Sequence, residues 1–267
     1  MDTLKKGSRG TNVIVLQKAL AAAGFSTTTD GIFGAMTEVQ VKAFQRSKGL
    51  VDDGIVGAKT WAALGVAAPA YIMGVDVSHY ETGFDFVKGM KDGVVFMMTK
   101  ASEGYGVDST CASEIAKARA AGIKFTGCYH FFHASKSVQN QVNIYMAQYN
   151  PAKTEMPPIL DLEETSVDGM GSMAVKASAL AWLKEVEKRT NEVPILYVDM
   201  NMINLLGLVR DPDFQKYPMW VARYSSAEPT VAWTFWQFTD KGEQGADTDW
   251  FHGSIDDLKA FCDQKAS

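Results

Sequence analysis

A short motif occurs twice near the start of the chain: Asp30-Gly31-Ile32-Phe33-Gly34-Ala35-Met36-Thr37 returns as Asp53-Gly54-Ile55-Val56-Gly57-Ala58-Lys59-Thr60. A duplicated unit of this length can bury its apolar side only against its own copy, so residues 1–66 read as a separate small module. In each copy Asp-Gly supplies a tight turn, the second glycine admits a close backbone approach, and the threonine is expected to cap a following helix. Val13, Leu16 and Leu20 stand at helical spacing ahead of the first copy, Val41 and Phe44 behind it, and Trp61 and Leu64 begin a third helix. Phe44 and Trp61 are expected to pack a very small core. The turns do not read as calcium loops, because Ser26, Thr28 and Thr37 stand where carboxylate ligands would be needed.

Val66-Ala67-Ala68-Pro69-Ala70 breaks the pattern with small residues and a proline. The expected division is therefore a module at 1–66, a linker at 67–71 and a second domain at 72–267. Charge divides in the same place: residues 1–66 hold eight Lys and Arg against five Asp and Glu, and the remainder holds 18 against 26. A mildly basic module suits an anionic polymer surface, whereas the overall charge of -5 argues against nucleic acid as a partner. No apolar run approaches the ~20 residues of a bilayer span, so no transmembrane segment is expected. The opening Met1 to Gly7 lacks an apolar signal core, from which synthesis without signal-directed export is expected. Cys111, Cys128 and Cys262 lack CxxC spacing, and neither a disulfide framework nor a metal site is expected.

From residue 71 onward, short apolar runs recur: Ile72 to Val77, Val94 to Thr99, Phe125 to Phe132, Pro158 to Leu162, Val193 to Val198, Met219 to Tyr224 and Thr234 to Phe238. Near-continuous apolar strands imply burial on both faces. Helical stretches at Ser113 to Ala121, Val138 to Tyr149 and Met173 to Arg189 lie between them, which predicts βαβ units and a parallel sheet. The predicted class is α/β: an irregular (β/α) barrel of the TIM type, trimmed in its last third, preceded by a small all-α domain.

Carboxylates recur where these strands end. Asp76 closes the first run, Asp161 and Glu163 close the fourth, and Asp247 follows the last run and its loop. In a parallel barrel such ends converge on one face, where mutual repulsion keeps one carboxyl protonated as a general acid. Residues two apart on a strand share a side, so Asp161 and Glu163 enter one pocket, a pairing that suits glycosidic cleavage. Tyr129, Tyr197, Trp220, Tyr224 and Trp236 lie in or beside the same strands and are candidates for stacking on sugars.

Two sets of motifs resemble known families. Leu4-Lys5-Lys6-Gly7-Ser8-Arg9-Gly10, Leu16-Gln17, Asp30-Gly31-Ile32-Phe33-Gly34, Phe44-Gln45 and Asp53-Gly54-Ile55-Val56-Gly57 resemble the small helical peptidoglycan-binding domain. That resemblance implies a wall-binding module carried by Asp30, Gly31, Phe33, Asp53 and Gly54. Gly74-Val75-Asp76-Val77-Ser78, Lys100-Ala101-Ser102-Glu103-Gly104, Gly127-Cys128-Tyr129-His130-Phe131, Leu160-Asp161-Leu162-Glu163, Trp220-Val221-Ala222-Arg223-Tyr224 and Trp236-Gln237-Phe238 resemble successive strands of glycoside hydrolase family 25 lysozymes.

The second resemblance implies N-acetylmuramidase activity on the β-1,4 bond between N-acetylmuramic acid and N-acetylglucosamine. It places Glu163 as general acid, Asp161 as its partner, and Asp76 and Asp247 as the remaining acids. Asp249 is interchangeable with Asp247 on a small shift of alignment, and Glu81 stands where the family usually has glutamine. Gln237, Lys100 and Glu103 join the aromatic residues as substrate-binding candidates, with Lys100 and Glu103 either holding the acid cluster or pairing with each other. No cofactor is implied.

Two chemical routes stay open: attack by the substrate's own N-acetyl carbonyl, oriented by Asp161 with net retention, or direct attack by a carboxylate or water. The pairing of modules resembles a phage endolysin. It implies a monomer acting on bacterial peptidoglycan, held in the host cytoplasm until a membrane pore releases it to the wall. The alternatives are a non-catalytic wall-binding protein and a chitinase- or glucosaminidase-type glycosidase. A zinc site at His130 and His133 is disfavoured, because on a strand these side chains point to opposite faces.

Overall fold

The computed structural model describes residues 3–8, 11–65, 71–80, 83–149, 154–225 and 228–264. The chain divides into two compact units, Met1–Met73 with Gly253–Ile255 and Gly74–His252 with Asp256–Ser267.

In the first unit α1 (Thr11–Ala22), α2 (Ala35–Ser47) and α3 (Ala58–Leu64) enclose a core of Val13, Leu16, Leu20, Phe33, Val41, Phe44 and Trp61, closed by Leu4 and Val56. The two motif copies are clipped in the same way. Gln17 Nε2 donates to Asp30 Oδ1 (2.8 Å) and the Ile32 carbonyl (3.1 Å), while its Oε1 accepts from the Gly31 N–H (3.0 Å). Gln45 Nε2 donates to Asp53 Oδ1 (3.1 Å) and the Ile55 carbonyl (2.9 Å), and its Oε1 accepts from the Gly54 N–H (3.0 Å). Gly31 and Gly54 sit at φ +71° and +76°, where a side chain would be strained.

The threonines are not caps, contrary to expectation. Gly34 and Gly57 hold the N-cap positions without a side-chain bond, and Thr37 and Thr60, one turn inside, face the two glutamines at 3.2 Å.

The second unit alternates strands and helices: β1 (Tyr71–Val77), α4 (Phe86–Asp92), β2 (Val94–Glu103), β3 (Gly106–Val107), α5 (Cys111–Ala120), β4 (Phe125–Phe131), α6 (Val138–Gln148), β5 (Ile159–Leu162), α7 (Ser172–Thr190), β6 (Ile195–Asp199), α8 (Met200–Leu206), β7 (Met219–Ala222), β8 (Phe235–Thr239), β9 (Asp247–His252) and α9 (Ile255–Cys262). The strand order is β1-β9-β8-β7-β6-β5-β4-β2-β3, and a β1–β2 pairing closes eight of the strands into a barrel, with β3 a short appendage on β2. Pairing is parallel from β2 to β4 and on through β8, and antiparallel between β2 and β3 and between β8 and β9. Gly74 lets β1 lie against the Phe96 ring, since a Cβ there would meet the ring at 2.1 Å.

Three expectations need correction. Residues 67–70 of the predicted linker lie outside the described residues, and Tyr71 is the first residue of β1 instead of the linker's end. Asp247 does not follow the last strand; it opens β9, a strand the apolar pattern did not reveal. Finally, α4 and α8 are short helices that the sequence reading passed over. The last third is trimmed as expected: among the described residues no α-helix stands between β7 and β8, and only a turn of 3₁₀ helix at Glu243–Gly245 lies between β8 and β9.

Candidate active site

The acids meet at one end of the barrel. β5 buries Asp161, and Glu163 follows at its exit, where its N–H donates to Ser166 Oγ at 3.0 Å and fixes the turn into a 3₁₀ helix at Glu164–Val167. The reversed direction of β9 brings its first residues to the same end as the exits of the parallel strands. Asp247 and Asp249 therefore share a side of β9 two residues apart, with Asp247 at the mouth and Asp249 deeper and 0% exposed. Asp249 Oδ1 accepts from the Trp220 indole N–H at 2.7 Å, and the pairing of Gln237 with Asp249 sets it beside β8.

Gln237 organises the floor. Its Nε2 donates to Asp76 Oδ2 (2.8 Å) and Asp247 Oδ2 (3.1 Å), while its Oε1 accepts from the hydroxyls of Tyr197 (2.8 Å) and Tyr224 (3.1 Å). Only this amide orientation puts donors against carboxylates and the acceptor against phenols. A side chain so engaged and buried holds the acids in place.

The aromatic candidates divide. Trp220 is buried, with Tyr197 and Tyr129 edge-on to it at 4.5 and 6.2 Å, so these three rings form the packed base of the site. Trp236 sits next to Gln237 on β8 and therefore points to the other side of the strand. There it packs on Trp233 and Phe238, and its indole N–H donates to the Arg223 carbonyl at 2.8 Å. Of the five rings singled out, Tyr224 alone is open, 56% exposed at the rim.

Electrostatics follow from this crowding. Burial, reinforced by the charge of Glu163, pushes the Asp161 carboxyl well above the usual range, and Asp161 Oδ1 is buried without a hydrogen-bond partner among the described residues. Glu163 is raised by burial and then by the charge of Asp199; Lys100 and a hydrogen bond from Thr165 act against this. Asp249 is raised by burial and then by Asp76.

Lys100, itself buried, donates to Glu103 Oε2 at 3.0 Å and lies under the rings of Phe131 (5.1 Å) and Tyr80 (5.5 Å). It pairs with Glu103, and its charge opposes the upward shifts of Asp161 and Glu163. Glu103 is pushed up by burial, but Lys100 and His133 outweigh this and hold it below the usual range.

His130 and His133 diverge. His130 stacks on Trp182 at 5.7 Å in the helical layer, and His133 bridges Glu103 and Asp168 at the rim. Among the described residues no group of three or more His, Cys, Asp or Glu could hold a metal ion. Glu81 lies outside the described residues.

A cavity of 250 Å³ opens beside the acids, lined by Glu163, Tyr197, Asp199, Asn201, Arg223 and Tyr224. A larger hollow of 330 Å³, at the starts of β7 and β8 near Pro218, Trp233 and Phe261, has no carboxyl group in its lining. The sequence reading missed Asp199, although it ends its strand much as Glu163 follows the end of β5. It also missed the clip roles of Gln17 and Gln45, and Asp30, Gly31, Asp53 and Gly54 serve that clip while Phe33 is core.

Comparison with known proteins agrees with this architecture. Residues 75–246 match the model of Glycosyl hydrolases family 25, and residues 9–64 match that of the Putative peptidoglycan binding domain. The uncharacterized protein YegX of Escherichia coli K12 is 31% identical over 217 residues, covering 75% of this chain and 77% of that protein. An N,O-diacetylmuramidase of Arthroderma benhamiae is 27% identical, covering 75% of this chain and 94% of the enzyme. The family GH25 lysozyme structure from Aspergillus fumigatus superimposes with a TM-score of 0.66 at 26% identity, covering 73% of this chain and 100% of that one.

Proposed function

The chain belongs to glycosyl hydrolase family 25, and from that membership we propose a muramidase that cuts the β-1,4 bond between N-acetylmuramic acid and N-acetylglucosamine in bacterial peptidoglycan, serving as a phage endolysin. The observation that carries the chemistry is the pair at the exit of β5: a buried Asp161 next to a Glu163 whose hold on its proton burial and neighbouring charge raise above that of an ordinary carboxyl. The match of residues 9–64 to a peptidoglycan-binding domain supports peptidoglycan over chitin as the polymer.

In the proposed reaction Glu163 gives its proton to the glycosidic oxygen as the C1–O bond breaks. The carbonyl oxygen of the substrate's own acetamido group closes on C1, and Asp161 accepts the hydrogen bond of the acetamido N–H. Glu163, now ionised, takes a proton from the water that opens this ring, so the configuration at C1 is kept. Asp161 is enclosed and its charge disfavoured, which suits holding an amide better than activating free water. Gln237 bridges Asp76 and Asp247 at the floor of the site, and Tyr224 offers an open ring face for a sugar.

For the biological role, we propose a monomer that stays in the cytoplasm of an infected cell until a membrane pore admits it to the wall. No helix among the described residues is long and apolar enough to cross a membrane.

The test is digestion of purified peptidoglycan, borohydride reduction of the new ends and mass spectrometry, with proton NMR of the first product formed. Reduced muramic acid ends and a β anomer are expected. Reduced glucosamine ends or released peptides would overturn the bond assignment, and an inverted anomer would overturn the acetamido route.

A further inference from the structure

The parallel register of β5 and β6 pairs Asp161 with Tyr197 and Leu162 with Val198. One position further along stand two carboxyl residues, Glu163 just past the end of β5 and Asp199 at the end of β6, and both line the 250 Å³ cavity. Asp199 is held firmly, because it caps α8 and its Oδ1 accepts from the Met202 N–H at 2.7 Å. Among the described residues no lysine or arginine forms an ion pair with it. Arg223, in the same cavity wall, gives a guanidinium N–H to the Glu228 carbonyl, Lys100 is engaged with Glu103, and the Asn201 amide donates to Glu164 at 3.2 Å.

We propose that Asp199 is a positioning residue for the reaction: its fixed negative charge, one rung across from Glu163, keeps the proton on the catalytic acid until the glycosidic oxygen takes it. The inference rests on the assignment of Glu163 as general acid made above.

The groups that face Glu163 are Asp161 from its own strand, Lys100 and Glu103 from β2, Tyr197 and Asp199 from β6, and Tyr224 and Arg223 beyond β7. Besides Asp161, with which it is paired, Glu163 is raised by the charge of Asp199 and lowered by that of Lys100. An acid must be protonated to act, so activity falls as pH rises through the Glu163 titration. A negative neighbour moves that fall to higher pH and widens the working range on its alkaline side. The same residue serves the fold and the chemistry separately, since the cap needs only an oxygen acceptor whereas the proton affinity needs the charge.

Asp199→Asn separates the two, because its side-chain carbonyl still accepts from Met202. The alkaline limb of kcat/KM on peptidoglycan should move down by on the order of one pH unit. A carbon-detected NMR titration of the Glu163 carboxyl in the two proteins should move by the same amount. Asp199→Ala should show the same displaced limb together with a lower melting temperature from the lost cap.

A limb and a Glu163 titration that coincide in wild type and Asp199→Asn would overturn the role of Asp199. A wild-type protein that leaves peptidoglycan uncut would overturn the muramidase reading. The NMR titration needs no turnover and decides the role of Asp199 in either case.

Discussion

His130 shows how one buried side chain ties the fold to pH. It stacks on Trp182 with its ring nitrogens between Ser102 and Gln141; Gln141 Oε1 can only accept, so Nε2 carries the proton and Nδ1 accepts from the serine hydroxyl. Burial, only partly offset by the bond to Gln141, lowers its pKa to about 4. The unfolded chain binds a proton at this residue below about pH 6.5, while the folded chain refuses it until about pH 4. Stability is therefore whole above pH 6.5 and is lost as pH falls across that window, by about 3 kcal/mol from this group. Urea unfolding of wild type and His130→Gln at pH 7 and pH 4.5 checks this: the variant should lose less stability between the two pH values, and equal losses would contradict it.

The elements differ in how openly the sequence declares them. β2 and β4 to β8 are buried on both faces and read as apolar runs, and the helices from α5 to α7 show through their spacing. β9 was hidden because its inward positions Asp247 and Asp249 are acids, which in a linear reading mark a loop and in the barrel are part of the site. Asp76, Asp161 and Glu163 were legible, because a carboxyl at the end of an apolar strand is conspicuous. The duty of Gln237 was not, since it depends on four partners from four different segments. Burial likewise decided the rings: Trp220 and Tyr224 stand close together in sequence, yet one is the base of the site and the other its rim.

The clip in the first unit gives a prediction at this scale. Gln45→Leu removes a buried amide that serves Asp53, Gly54 and Ile55 at once and strands the Gly54 N–H, so the module should lose about 2–3 kcal/mol. Thermal unfolding followed at Trp61 should show a lower transition. Unchanged melting would mean that the repeat is held by its apolar core alone.

At the scale of the whole molecule, labour is divided. The basic module, matched to a wall-binding domain, supplies residence on the polymer, and the acidic barrel, matched to family 25, supplies the cut. Binding and cleavage should then fail independently, with Glu163 belonging wholly to the second. The direct measurement uses cells that produce either wild type or Glu163→Gln and have their inner membrane permeabilised. Turbidity is recorded, together with co-sedimentation of the purified proteins with cell walls. Wild-type cells should clear on permeabilisation, the variant should clear at least about a hundredfold more slowly, and both proteins should sediment with walls alike. A variant that lyses cells at the wild-type rate would contradict the claim that the proton of Glu163 breaks the glycan.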